Sequence, residues 1–165
     1  MRSNGLAAVL PARHQALELA QVERFPTLAE VLLVWRAACG TDLPRRIDPL
    51  ELPTRVFPYV ILLEFAEASR TLRIRLAGEF VRQKHGSRLV GLTPYDVFEL
   101  DEARRVSEDA AEAAQRREAH LAYSASVGVR GTYWSYVRLL LPLATTEGAV
   151  DRIFKVIEPT EAAPT

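Results

Sequence analysis

Residues Thr132–Ile157 read TYWSYVRLLLPLATTEGAVDRIFKVI, and this stretch decides the fold. Two strand-like runs, at about Thr132–Leu141 and Ala149–Ile157, flank Thr145-Thr146-Glu147-Gly148, a hairpin-turn composition. In the first run Leu139 and Leu141 alternate with Trp134, Tyr136 and Leu140; in the second Phe154 and Val156 alternate with Ile153 and Ile157. Successive side chains point to opposite faces of a strand, so both faces of this ribbon are apolar. A sheet with one wet face shows a polar register; this one needs cover above and below.

Upstream, His120–Val127 adds a third strand, joined through the turn Gly128-Val129-Arg130-Gly131. Asp101–Ala119 reads as a long helix, with i,i+4 pairs Arg105/Asp109 and Glu112/Arg116 and a buried face of alanines with Val106. Short helical segments are expected between Gly78 and Gly91, and Thr93-Pro94-Tyr95-Asp96 carries a helix-start signature. Tyr59–Phe65 and Thr71–Leu76 form an earlier strand pair, turning near Ala68-Ser69-Arg70. Arg73 and Arg75 share a face of the second strand, read as a solvated or salt-bridged row.

The chain opens with expected flanking helices over 1–40, in runs Pro11–Arg24 and Thr27–Ala38 separated by Phe25-Pro26. Thr27 and Glu30 have capping-box spacing, and Gly40 is placed to stop the helix. Leu28, Val31, Val34 and Trp35 recur on one helical face. This face is the candidate cover for the outer side of the sheet, within the chain or across a homodimer interface. Residues 41–58 form a connector whose Pro44, Pro49, Pro53 and Pro58 keep it irregular, with at most one short helical turn. The core is expected over 59–157, and 158–165 reads as a frayed tail.

Composition narrows the function. A chain of 165 residues, 48% hydrophobic and 25% charged, is an ordinary globular domain. Lys+Arg and Asp+Glu both number 21, so no net field draws a polyanion, and nucleic acid is not an expected partner. The single cysteine, Cys39, excludes an internal disulfide or a multi-thiolate zinc site and fits a reducing, cytoplasmic location. No apolar run reaches the ~18 residues of a membrane span. No HExxH, GxSxG or P-loop is present, so no catalytic set and no metal centre is expected.

Two strands, a helical insertion ending in a longer helix, and a three-strand meander together resemble the PAS fold, an α+β architecture. The resemblance implies a five-stranded antiparallel sheet in the order 2-1-5-4-3. Trp35, LPRRIDP at Leu43–Pro49, Phe57-Pro58, RIRLAG at Arg73–Gly78, Gly86, Gly91 and LLLPL at Leu139–Leu143 are similar to a bacterial, alphaproteobacterial-type group of short stand-alone PAS proteins. It implies a sensory or signalling module that binds a ligand or partner and leaves output to a separate effector protein. The ligand is left unknown. Flavin-photochemical relatives use a cysteine inside the domain, whereas Cys39 lies in the flanking helix; haem-binding relatives often use a histidine on the long helix, which holds none. His85 and His120 are read first as structural, and His14 as exposed.

A PAS pocket lies between the sheet's inner face and the helical insertion. Phe80, with apolar bulk, and His85, Tyr95, Tyr123, Trp134 and Tyr136, which add a polar handle, are the candidate ligand contacts, or else core filling. Two rivals stand beside the sensor: a ligand-free docking and dimerisation scaffold, and an NTF2-like small-molecule enzyme.

Overall fold

A computed structural model of the chain describes residues 13–66, 71–127 and 133–161. The expected turns at Ala68-Ser69-Arg70 and Gly128–Gly131 lie outside them. The elements are β1 (Arg13–Leu17), α1 (Pro26–Ala38), β2 (Val60–Phe65), β3 (Leu72–Ala77), α2 (Glu79–His85), α3 (Pro94–Val97), α4 (Leu100–Arg116), β4 (His120–Val127), β5 (Tyr133–Ala144) and β6 (Val150–Pro159). Short 3-10 turns cover Leu19–Arg24, Pro49–Glu51 and Thr54–Tyr59. The connector thus holds two helical turns where one was expected.

The strands form one antiparallel sheet in the order β1-β4-β5-β6-β2-β3. Its last five members are the expected 2-1-5-4-3 arrangement read in reverse. The sixth is new: Arg13–Leu17, expected in a flanking helix, pairs along β4 from Arg13↔Ala125 to Leu17↔Leu121. The free edge of β4 offers a row of unpaired amides and carbonyls, and a five-residue segment satisfies them better as a strand than as little more than one turn of helix. The tail also departs from expectation, because β6 continues through Glu158 and Pro159 opposite Val137 and Tyr136.

Alternation along β5 divides the molecule into two cores. Val137, Leu139 and Leu141 join Leu28, Val31, Leu32 and Trp35 of α1 on the outer face. Tyr136 and Leu140 join Ile61, Ile74, Val81, Val97 and Ala113 under the helical insertion. Leu139 and Leu140 are both 0% exposed although they point to opposite sides, so the two-faced ribbon is covered on both.

Leu28, Val31 and Trp35 are buried against the sheet of their own chain, and Val34 is half-buried. This removes the first three from the docking surface for which they were candidates; covering the outer face is an intramolecular task. Trp35 Nε1 donates to Pro142 O at 3.0 Å, locking α1 onto β5. No Thr27/Glu30 capping box forms. Phe25 is the N-cap with Pro26 in the first turn, and the Thr27 amide donates to Glu158 Oε1 at 3.2 Å, so the helix start is capped from β6.

Gly78 turns β3 into α2 where a Cβ would lie 2.2 Å from Phe57 O and 2.4 Å from Pro58 O. Only glycine permits that approach. Gly86 ends α2 at φ 115°, outside the reach of most side chains.

Candidate functional site

The inner core is not purely apolar. Arg138 of β5 and Lys155 of β6, 0% and 1% exposed, project from the sheet toward the helical insertion, and Glu102 and Asp109 of α4 come down to meet Arg138. Glu102 and Asp109 are seven residues apart, two helical turns, and therefore share the buried face of α4 with Ala103, Val106, Ala110 and Ala113. The expected Arg105/Asp109 pair is replaced: Arg105 reaches Asp101 at 3.5 Å, leaving Asp109 for the interior, while Glu112 and Arg116 pair at 3.2 Å as expected.

The guanidinium of Arg138 spans both acids. Nη1 donates to Glu102 Oε1, and Nη2 donates to Asp109 Oδ2 at 2.6 Å. Glu102 also accepts from Ser124 Oγ of β4 and from Tyr136 Oη, each at 2.5 Å. His14, expected to be exposed, instead enters from β1: its Nε2 lies 2.9 Å from both Asp109 Oδ2 and Arg138 Nη2. Buried charges persist only when paired and hydrogen-bonded, and this network meets that condition except at Arg138 Nε, which lacks a partner.

Burial alone would push the Glu102 carboxyl up, but Arg138, Lys155 and the two hydroxyl donors outweigh it and hold it below its ordinary value. The same opposition, with burial countered by the His14 bond and Arg138, brings Asp109 down to about 2. Both are ionised at neutral pH. Tyr136 moves the other way: burial and the Glu102 charge push its hydroxyl well up.

Among the described residues, Lys155 forms no ion pair, although it lies close enough to Glu102, Asp109 and Arg138 to feel their charges. Its Nζ lies 4.7 Å from the centre of the Phe98 ring and 5.8 Å from that of Tyr136. Burial, then the nearby Arg138 charge, pushes the amine down to about 7 despite Glu102 and Asp109. His85, on the last turn of α2, packs edge-on against Phe98 at 5.0 Å and lies 5.6 Å from Trp134. Burial and the charge of Lys155 push His85 down to about 4, so it is neutral, and its buried Nδ1 has no hydrogen-bond partner. Rings continue through Trp134–Tyr136 at 4.5 Å, Phe80–Trp134 at 6.1 Å and Tyr59–Phe80 at 4.8 Å.

Four of the six candidate ligand contacts, Phe80, His85, Trp134 and Tyr136, are therefore brought together. The other two are not. Tyr123 points to the outer core, because odd-numbered positions of β4 face α1, and Tyr95 is 52% exposed on α3. Lys155, Phe98, Arg138, Glu102 and Asp109 were missed. The signal was present in the alternation: Arg138 and Lys155 fall in register with Tyr136 and Leu140, and with Ile153 and Ile157, on a face that must be covered. Cys39 caps the end of α1, away from this interior, and burial raises its thiol.

No helix among the described residues is long and apolar enough to cross a membrane. The sequence matches a family model for the PAS domain over residues 24–158. Among solved structures, one described as VqmA bound to DPO superposes with TM-score 0.52 at 8% identity, covering 64% of this chain and 54% of that one. An RNA-binding Light-Oxygen-Voltage receptor gives TM-score 0.48 at 11% identity, covering 90% of this chain and 38% of that one. The chain thus spans about half of the first protein and less of the second. No curated protein matches it.

Proposed function

The chain belongs to the PAS domain family, a class of sensory and signalling modules, and on that premise we propose that it reads a small ligand bearing a carboxylate or carbonyl acceptor between α2 and the inner face of the sheet. One observation carries this reading: Lys155 is a fully buried amine set against the Phe98 and Tyr136 rings, felt by Glu102 and Asp109 through their charge but in direct ion-pair contact with neither. An acceptor there gains a charge-assisted hydrogen bond and raises the amine's proton affinity, while the surrounding rings stack on a flat apolar body. His85 Nδ1, buried without a hydrogen-bond partner, offers a second polar contact. α2 carries Phe80, Lys84 and His85 between Gly78 and Gly86, and is the element whose displacement admits the ligand and reports its arrival. VqmA, whose structure contains DPO, is in keeping with a ligand-reading role for this fold.

Binding shifts the balance between two packings of α2 and of the elements joined to it, by as much as the ligand's affinities for the two differ. On this reading the chain is a cytoplasmic module without catalysis of its own, and its output passes to a separate effector. The test uses Trp134 emission in a Trp35→Phe background, titrated with small aromatic carboxylates and carbonyl compounds. Saturable change that Lys155→Met abolishes supports the reading; equal responses in both proteins refute it.

A second reading, a docking or dimerisation module, draws on the apolar groove of about 360 Å³ lined by Ile47, Leu52, Phe57, Leu62, Leu76 and Phe154. Phe57 and Leu76 are 40% and 50% exposed there. The occupant in this case is a second copy of the chain, and sedimentation velocity decides it: a dimer that Leu76→Glu dissociates supports the homodimer, and a monomer at all concentrations removes it.

A further inference from the structure

Two carboxylates and an imidazole converge at the C-terminal end of α4, away from the aromatic interior. Asp109 and Glu112 are three residues apart and share one helix face. His120 opens β4 just beyond Arg117, which leaves the helix in the left-handed conformation at φ 57°. One oxygen of each acid and one nitrogen of the ring all lie within 4.8 Å of one another.

The spacing itself is informative. His120 Nε2 is 3.7 Å from Asp109 Oδ1 and 3.7 Å from Glu112 Oε2. That is too long for a hydrogen bond. Donors held ~2.1 Å from a tetrahedral zinc ion are about 3.4 Å apart; the two His120 spacings approach this, while the acid oxygens, up to 4.8 Å apart, close on one ion by an inward swing of the half-exposed Glu112 carboxylate. The ring nitrogen therefore faces two oxygens and bonds to neither. Asp109 is also held from behind, because Oδ2 accepts from Arg138 Nη2 at 2.6 Å and lies 2.9 Å from His14 Nε2, while Oδ1 is left toward His120. Such outer contacts orient a carboxylate ligand in metal sites. The Asp109 and His120 side chains are 12% and 17% exposed and Glu112 is 44% exposed, so the cluster is shielded on one side and open to water on the other.

We propose that Asp109, Glu112 and His120 bind one divalent metal ion of the zinc type, with the remaining coordination position open to water. One imidazole with two carboxylates suits Zn²⁺ and discriminates against Ca²⁺, which takes six to eight oxygens, and Mg²⁺, which keeps an octahedral oxygen shell. The positive charge of Arg138 opposes a cation, but it is shared between Glu102 and the far oxygen of Asp109. A bound ion ties the end of α4 to the start of β4, the same junction to which β1 is attached through His14.

The test is a calorimetric titration of tag-free Cys39→Ser protein with Zn²⁺, repeated with Ca²⁺, together with visible absorption of the Co²⁺ complex. The expected result is one equivalent of Zn²⁺, negligible heat with Ca²⁺, and cobalt bands of low coordination number. Glu112→Gln and His120→Ala should each weaken Zn²⁺ at least tenfold. Glu108→Gln, one position from Asp109 and exposed, should not. Glu112 is half-exposed, so its variant keeps the test valid if His120→Ala folds poorly. No Zn²⁺ binding at millimolar concentration, binding indifferent to Glu112→Gln, or equal binding of Ca²⁺ would each overturn the site.

Discussion

Replacing Arg138 by Met tests the buried network where it is most exposed to refutation. Methionine fills a similar volume, so the change removes charge and hydrogen bonds more than packing. The guanidinium supplies one bond to Glu102 and one to Asp109. Without it, Glu102, 4% exposed, keeps only Ser124 and Tyr136 as donors, and Asp109 keeps His14. Removing one partner of a buried ion pair costs about 3–5 kcal/mol, against a total stability of about 5–15 kcal/mol for a domain. Urea unfolding followed by far-UV circular dichroism should show a loss of that size at pH 7 with an unchanged m-value.

The pH dependence separates charge from packing. In the wild type the depressed carboxyls of Glu102 and Asp109 contribute stability that is present above their unfolded-state values and is lost as pH falls, for Asp109 through about 2. In Arg138→Met the stranded Glu102 carboxyl rises instead, so lowering the pH from 7 to 5 should narrow the deficit by protonating it. The double variant Glu102→Gln/Arg138→Met should recover much of the loss, since the stranded charge is gone. A variant within about 1 kcal/mol of wild type at pH 7, or a deficit independent of pH, would mean that the pair is solvated and that this interior is not dry.

Other substitutions test separate parts of the fold. Gly78→Ala should destabilise by at least about 2 kcal/mol, because its Cβ meets the backbone of Phe57 and Pro58, whereas Gly40→Ala, with nothing within 4 Å, should be near neutral by the same thermal denaturation assay. Trp35→Phe leaves the Pro142 carbonyl without its donor and should cost about 1–3 kcal/mol in urea unfolding while keeping the sheet intact. His85→Phe removes a buried nitrogen that has no partner and should leave stability unchanged or raise it, while weakening any ligand that responds to Lys155.

Much of the architecture was legible because alternation and helical periodicity report burial directly. Leu139 and Leu140 announce two covered faces, and Leu28, Val31 and Trp35 announce the element that covers one of them. β1 was not legible, since RHQAL has no strand pattern of its own and becomes a strand only because β4 presents a free edge. The aromatic half of the site was visible as ring-bearing positions near the insertion. The charged half was carried by register alone: Arg138 and Lys155 look like solvent-facing residues unless the cover inferred for both faces of the ribbon is applied to them, and Glu102 and Asp109 merge into the charged pattern of a helix. Tyr123 failed for a single reason: its odd position in β4 sends it to the outer face.

The central claim is that the inner face of a PAS sheet holds an amine kept out of water and out of the ion-pair network. Its most direct test is a heteronuclear NMR titration of the Lys155 side chain in the intact protein, assigned by loss of the signal in Lys155→Met. The account expects a midpoint near 7 that climbs when an acceptor ligand is added. A midpoint near the ordinary lysine value of 10.5, unmoved by any ligand, would contradict it.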